Sequence, residues 1–402
     1  MRRDALGPYS LDALKAMGAP VLFSTDAAQW RAKLVAWFEE ASGRKLYPMQ
    51  VEMLLVETLA YALSVVGEEA QMALEQSLVT FAGEAGLERL APNRSTPRLP
   101  AAKARFTLRC SRQGSATAIF IPKGTRAGAQ NGVVFATLAD ATLPAGVASI
   151  DLTAEAMASG AAANDAPAGA VTALLDPISG LAVANVTPAE GGADEEELEA
   201  WRLRLANAFE RVSTGGSRAW YRETAMGVSS ALVDVAVIRP QPCYVDLYPL
   251  TRDGAAGPDL RAQVLAAFET REALDVRFGD LVAIKPAVAV DAGPRLVLRG
   301  RGMEASVVAD AEKLARATLD RFDFGSERPA LRDLAQTLFG GLKASGWSQR
   351  LGADVAPSEV ERAVKRLPGV VDAELTGLAF QTLAPTSYLR LTSLAVEAQV
   401  LS

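Results

Sequence analysis

The spacing of apolar positions changes character several times along the chain, and each change predicts a different kind of element. In WRAKLVAWFEEA, Trp30, Leu34 and Trp37 or Phe38 recur at helical spacing. After Pro48 a longer run begins. Met53, Val56, Leu59 or Ala60, Leu63, Val66, Ala70, Leu74, Leu78 and Phe81 step by three or four. A continuous helix to Phe81 would be about 50 Å long at the usual rise per residue. Gly67 is where it is expected to bend or break. The glycines and prolines of FAGEAGLERLAPNRSTPRLP then end the helical region. From about residue 100 the period falls to two, in runs such as ARFTLRC and TAIFIP, which predicts short strands. Ile121-Pro122-Lys123-Gly124 fits a type I turn, with proline second and glycine fourth. Leu143-Pro144-Ala145-Gly146 is a second turn signal. Gly124 and Gly146 are placed where a side chain would strain the backbone.

Beyond Gly191 helical and strand patterns mix. Leu198, Trp201, Leu205, Phe209 and Val212 form one helical stripe. VDVAVIR and YVDLYPL read as strands, Asp253-Gly254 as a turn, and Leu260, Val264 and Phe268 as a helix face. LVAIKPAVAV reads as a single strand. RLVLRG (strand), VVADAEKLARATLDRF (helix) and a helix capped near Ser358 follow. A turn at Pro368-Gly369 and terminal strands complete the chain. The expected class is α+β and multidomain. A helical region (1–92) is followed by a small β-rich domain (93–190), an α+β domain (191–292) and a C-terminal α+β domain (293–402). The last two are expected to be mixed and α/β-sandwich-like.

Composition narrows the function. With 402 residues, half of them hydrophobic and 22% charged, the chain can bury several cores. A net charge of −6 with scattered basic residues argues against nucleic acid as a partner. There is no histidine, which excludes a Ser-His-Asp triad, a Cys-His pair and any His-containing zinc site. Cys110 and Cys243 are expected as small buried apolar residues, in keeping with a reducing compartment. Arg2-Arg3 is followed by DALGPYS rather than an apolar stretch, so no targeting segment is expected. The most apolar stretch contains Glu52 and Glu57, which suits a buried or partner-facing helix better than a membrane span.

The candidate chemical motifs have plainer readings. Asp194 to Glu197 are expected to complement a helix dipole. Gly215-Gly216-Ser217 lacks the GK[ST] ending of a phosphate loop and is expected to join two helices. Asp246 and Asp253, with Arg252, are not fixed relative to one another. No catalytic, cofactor-binding or metal-ligating residue is therefore expected.

The order of the motifs does carry information. FTLR, IPKGTRAGAQNGVVFAT, LPAGVASIDLTA, LLDPISGLAVANVTPAEGGADEEELEAWRLRL, STGGSRAWYRETA, VDVAVIRPQPCYVDLYPLTRDG and LDVRFGDLVAIKPAVAV follow in series. The series resembles the baseplate J family of contractile phage tails. That family shows an xIPxGT turn, a GVxFxT strand, a GGAD-ExxExxRxR helix start, ST-GS and a PxPGxVxVY hairpin. A VRPxTDxVxVxxP strand follows. The chain departs at Cys243-Tyr244, where a Pro-Gly turn is usual, and at Phe278-Gly279. The resemblance implies a structural wedge protein and not an enzyme, in a virion tail baseplate assembled in the bacterial host cytoplasm. It implies a second copy of itself, a smaller baseplate wedge protein, a lysozyme-like wedge protein and the central hub as partners, with no nucleic acid, no membrane and no cofactor. It also implies that wedges close a ring around the hub and relay the trigger for sheath contraction. On that reading the helix after Pro48 faces a partner through Met53, Leu59, Leu63, Val66, Leu74 and Leu78. Pro122, Gly124, Gly146, Asp253 and Gly254 are structural turns. The alternative is a surface-binding adhesin or tail-fibre module, which the Ala/Gly/Thr-rich middle would suit.

Overall fold

A computed structural model describes residues 11–114, 117–129, 131–212, 216–277, 279–301, 305–320 and 351–401. Gly215 and Phe278 lie outside these. The chain divides into two compact units, Met1–Pro97 and Arg98–Ser402.

The first unit is helical: α1 (Leu11–Met17), α2 (Ala27–Ser42), α3 (Val51–Ser77) and α4 (Glu84–Leu90). Asp26 caps α2 by accepting the Ala28 N–H, and Gly43 ends it in the left-handed conformation. α2 and α3 form an antiparallel hairpin. Arg44 pairs with Glu52, Arg31 with Glu57, and Ser24 meets Gly67. α3 runs unbroken for 27 residues, about 40 Å, and ends at Ser77 rather than Phe81. Gly67 does not break it. A Cβ there would lie 2.2 Å from the Ser24 carbonyl oxygen, so the glycine lets the incoming chain approach the helix.

The second unit begins with a barrel. Its strands are β1 (Arg105–Arg112), β2 (Ile119–Ile121), β3 (Arg126–Ala129), β4 (Val134–Thr137), β5 (Ala141–Leu143), β6 (Ser149–Ala156), β7 (Val171–Leu174) and β8 (Leu181–Asn185). Six form an antiparallel sheet in the order β7-β3-β4-β6-β1-β8, while β2 pairs with β5. Alternation divides the faces. Phe106, Leu108, Cys110 and Phe135 point into one core with Ile121 and Leu143. Arg105 and Arg109 point out, each directly opposite a carboxylate on β6, Glu155 and Asp151.

The end strands β7 and β8 meet through a side chain. Asn185 is buried. Its Oδ1 accepts the Val171 N–H at 2.9 Å, its Nδ2 donates to the carbonyls of Pro167 and Thr187, and its carbonyl accepts the Gly169 N–H.

Two expected turns sit one residue further along than the sequence suggested. Thr125 N–H donates to the Pro122 carbonyl, and Val147 N–H to the Pro144 carbonyl. Proline is therefore first in each turn, and Gly124 (φ +83°) and Gly146 (φ +79°) are third, in the left-handed region that type I turns lack.

Further cores follow in the same unit. After α5 (Leu198–Ala206), the first packs α6 (Arg218–Met226), α7 (Pro258–Ala267) and α8 (Arg271–Arg277) with β9 (Leu232–Ile238), β10 (Tyr244–Thr251), β11 (Gly254–Ala255) and β12 (Leu281–Ile284). β10 pairs antiparallel with β9 and β11 and parallel with β12, so α7 and α8 form a β-α-β crossover. Trp220, Tyr221 and Phe268 cluster beneath, with centroids 4.9–5.7 Å apart. The expected stripe over 198–212 is shorter than predicted: the α-helix ends at Ala206, and Phe209 is exposed in a 3-10 segment.

The last core comprises β13 (Val288–Ala292), β14 (Arg295–Gly300), α9 (Ala305–Asp320), β15 (Asp354–Val355), α10 (Pro357–Val364), β16 (Val370–Thr376), β17 (Gln381–Thr382), β18 (Ser387–Leu391) and β19 (Ala395–Val400). LVAIKPAVAV is thus two strands. The chain leaves β12 around Pro286, which has no N–H for a ladder, and β13 joins a different sheet beside β18. α10 is preceded by Ala356, not Ser358, with Pro357 in its first turn.

Candidate interaction surfaces

α3 is apolar around most of its circumference, and packing decides which side is free. Its buried positions are Met53, Ala60, Ser64 and Gly67, mostly small residues that let α2 and the Ser24 segment come close. The larger side chains remain outside. Leu59 is 50% exposed and Val66 62%, while Leu63 and Leu74 are half-buried. Leu78 is half-buried just past the helix. Met53, 6% exposed, is covered by its own unit. Val51, Leu54, Leu55, Tyr61 and Met72 are also exposed, and were not singled out from the sequence. The signal that could have found this face is the Ala60, Ser64, Gly67 series, since small residues at helical spacing mark the close-packed side.

The proposed chemical motifs dissolve into structural pairs. Glu196 is buried and holds Arg204 through two hydrogen bonds, at 2.6 and 2.7 Å, and also accepts the Leu99 N–H. Asp194 accepts the Ala161 N–H, and Glu195 lies 3.5 Å from Arg98. The run does end at a helix N-terminus as expected, with Glu197 the N-cap of α5, but Asp194, Glu195 and Glu196 also act as specific tethers. Asp246 is paired with Lys285 at 2.6 Å. Roughly 17 Å of strand, at the usual rise, separates it from Thr251, beyond which Asp253 lies in the hairpin. The two carboxylates do not converge. Gly254 opens β11, and its φ is +128°. A Cβ there would meet the Tyr388 hydroxyl at 2.8 Å, so close approach as well as turn geometry calls for glycine.

Among the described residues no group of His, Cys, Asp or Glu is arranged to hold a metal ion, and no helix is long and apolar enough to cross a membrane. Cys110 is buried, and burial pushes its thiol up to about 11. Cys243 is exposed, contrary to expectation. It is third in the turn Gln241-Pro242-Cys243-Tyr244, with φ +63°. Glu223 on α6 is a buried acid that the sequence did not mark. Burial raises its carboxyl to about 7, against the pull of nearby Arg222, Arg211 and Arg204 and of the hydrogen bond from Asn207.

Residues 105–192 match the family model described as Baseplate J-like protein barrel domain. Among curated proteins none matches the chain. One similar solved chain belongs to the anti-feeding prophage (AFP) baseplate, seen by cryo-EM and 6-fold symmetrised. The two are 13% identical, and the match covers 95% of this chain and 97% of that one with a TM-score of 0.33, too loose a superposition to bear on the fold. The family match begins at the first residue of β1 and ends just past β8, so it takes in every strand around the first core. The barrel around the first core is thus the part of the chain that is similar to the Baseplate J-like barrel domain.

Proposed function

We propose that the chain is a non-enzymatic structural subunit of a phage-type contractile tail baseplate, working as a wedge protein in the virion. The barrel domain carries this reading. In the finer form, two copies join a smaller wedge protein through their N-terminal helices. Wedges then close a ring around the hub, next to a lysozyme-like wedge protein, and the ring relays the trigger for sheath contraction. The large apolar residues on the outside of α3 support the bundle, because a partner helix would remove them from water. Burying one leucine is worth about 1.5–3 kcal/mol.

The test is co-expression with the products of the neighbouring reading frames, followed by size exclusion and electron microscopy of particles. Leu59→Asp and Val66→Asp suit it better than changes at the half-buried Leu63 or Leu74, which would also disturb the unit itself. Both variants are expected to stay folded and soluble but to leave the wedge complex and yield no complete tails. Normal wedges and tails from both would sink the shared bundle. A wild-type chain that never joins other tail proteins would sink the baseplate role.

A further inference from the structure

The outer side of α3 contains a second spacing pattern. Val51, Leu55, Thr58, Ala62, Val65 and Met72 follow at alternating steps of four and three, with Glu69 filling the remaining place. All seven are exposed. Such a step is the seam of a left-handed pair of helices. Leu54, Leu59, Tyr61 and Val66 widen it on either side.

Charge decides what can lie on this seam. α3 carries five glutamates and no lysine or arginine. Glu52 is paired with Arg44 just past α2, Glu57 with Arg31 on α2, and Glu75 accepts from Gln71. Glu68 and Glu69 are exposed and belong to no ion pair among the described residues. A second copy fits poorly in either direction. In a parallel pair Glu69 meets Glu69. In an antiparallel pair centred on Ala62, Glu69 meets Leu55 twice, which takes a carboxylate out of water with no counter-charge. The small Thr58 and Ala62 at mid-seam leave room for large side chains from the other helix.

We infer that the occupant is a helix of a different chain, apolar along its seam, with lysine or arginine opposite Glu69. The inference rests on reading α3 as partner-facing. It identifies the contact beside α3 itself as heteromeric, with copies of this chain meeting through other helices or through that partner.

The full-length chain tests this with two synthetic amphipathic peptides as long as α3, with leucine along the seam. They differ only in carrying lysine or glutamate opposite Glu69. The lysine peptide is expected to bind about tenfold more tightly or better, with a preference that shrinks as salt rises. Glu69→Lys should reverse the preference. In sedimentation the wild-type chain should show no self-association through α3, whereas Glu69→Leu, which completes the apolar seam, should create it. Equal binding of the two peptides, binding of neither, or a wild-type dimer dispersed by Ala62→Arg would overturn the inference. None of these readouts needs a tail particle. Charge-selective binding by a chain that never enters a baseplate would defeat only the functional reading. A chain that enters baseplates without charge preference would defeat only this one.

Discussion

Cys243 holds a backbone conformation that suits glycine. Its φ of +63° at the third position of a turn after Pro242 brings Cβ against the following carbonyl, a cost of about 1–2 kcal/mol for an L-residue. Glycine would relieve the strain but give the unfolded chain more freedom. Cys243→Gly is therefore expected to stabilise the protein by about 1 kcal/mol, read from the denaturant midpoint at unchanged slope. Gly124 is the converse. Open space surrounds its missing Cβ, so only φ +83° penalises a side chain. Gly124→Val should cost about 1–3 kcal/mol, and an unchanged melting midpoint would refute the turn. Glu223 adds a pH dependence. Its folded-state carboxyl titrates at about 7, above its ordinary 4.5, so the folded state holds the proton more tightly. That contribution is fully present below 4.5, declines as pH rises through 7 and is then lost. Glu223→Gln keeps the acceptor for Asn207 and cannot ionise. It should flatten stability between those pH values and raise it at pH 8 by on the order of 1–3 kcal/mol.

At the scale of elements, the strands were the most legible part. Alternation in RFTLRC and RLVLRG puts apolar side chains in a core, and β1 and β14 follow it; Arg105, Arg109 and Arg299 lie opposite acids, while Arg295, opposite Thr376, pairs diagonally with Glu397. What alternation cannot express is how a sheet ends. The barrel is completed by Asn185, whose amide stands in for missing rungs between β7 and β8. Asn185→Ala would leave the Val171 N–H and two carbonyls without that partner, at about 1–3 kcal/mol for each group that stays buried and unsatisfied. The expected result is a lower melting midpoint and faster hydrogen exchange at the Val171 amide than at β1. Slow exchange at Val171 in the variant would show that the seam closes by other means. Helix limits were less legible. α3 ends before Leu78 although the apolar steps continue, and Phe209 keeps the stripe's spacing after the α-helix has stopped. Spacing records where a side chain would point if the helix continued, and not whether it does.

At the scale of the whole molecule, the carboxylates that could have suggested catalysis are engaged in separate structural tasks. Glu196 holds Arg204, Asp246 holds Lys285, and Asp234 binds Arg222 and the Leu351 N–H. Purified protein is expected to turn over neither peptidoglycan nor capsule polysaccharide. Reproducible turnover abolished by changing one of its carboxylates would overturn that expectation.

The sequence by itself determined the order of helical, β-rich and mixed regions, because hydrophobic period reports local geometry; that the β-rich part closes as a barrel came from the structure. The sequence also carried the barrel's family likeness, through turn and strand motifs in a set order. Only the tertiary structure decided which side of α3 is free. That helix is apolar nearly all round, and the choice depends on α2 and Ser24 seeking its smallest residues, Ala60, Ser64 and Gly67. The turn registers at Gly124 and Gly146, the exposure of Cys243 and the break at Pro286 were likewise settled by partners distant in sequence. A residue's type limits the conformations it tolerates, but the hydrogen bonds and close approaches that select one of them come from strands and loops that meet only once the chain has folded.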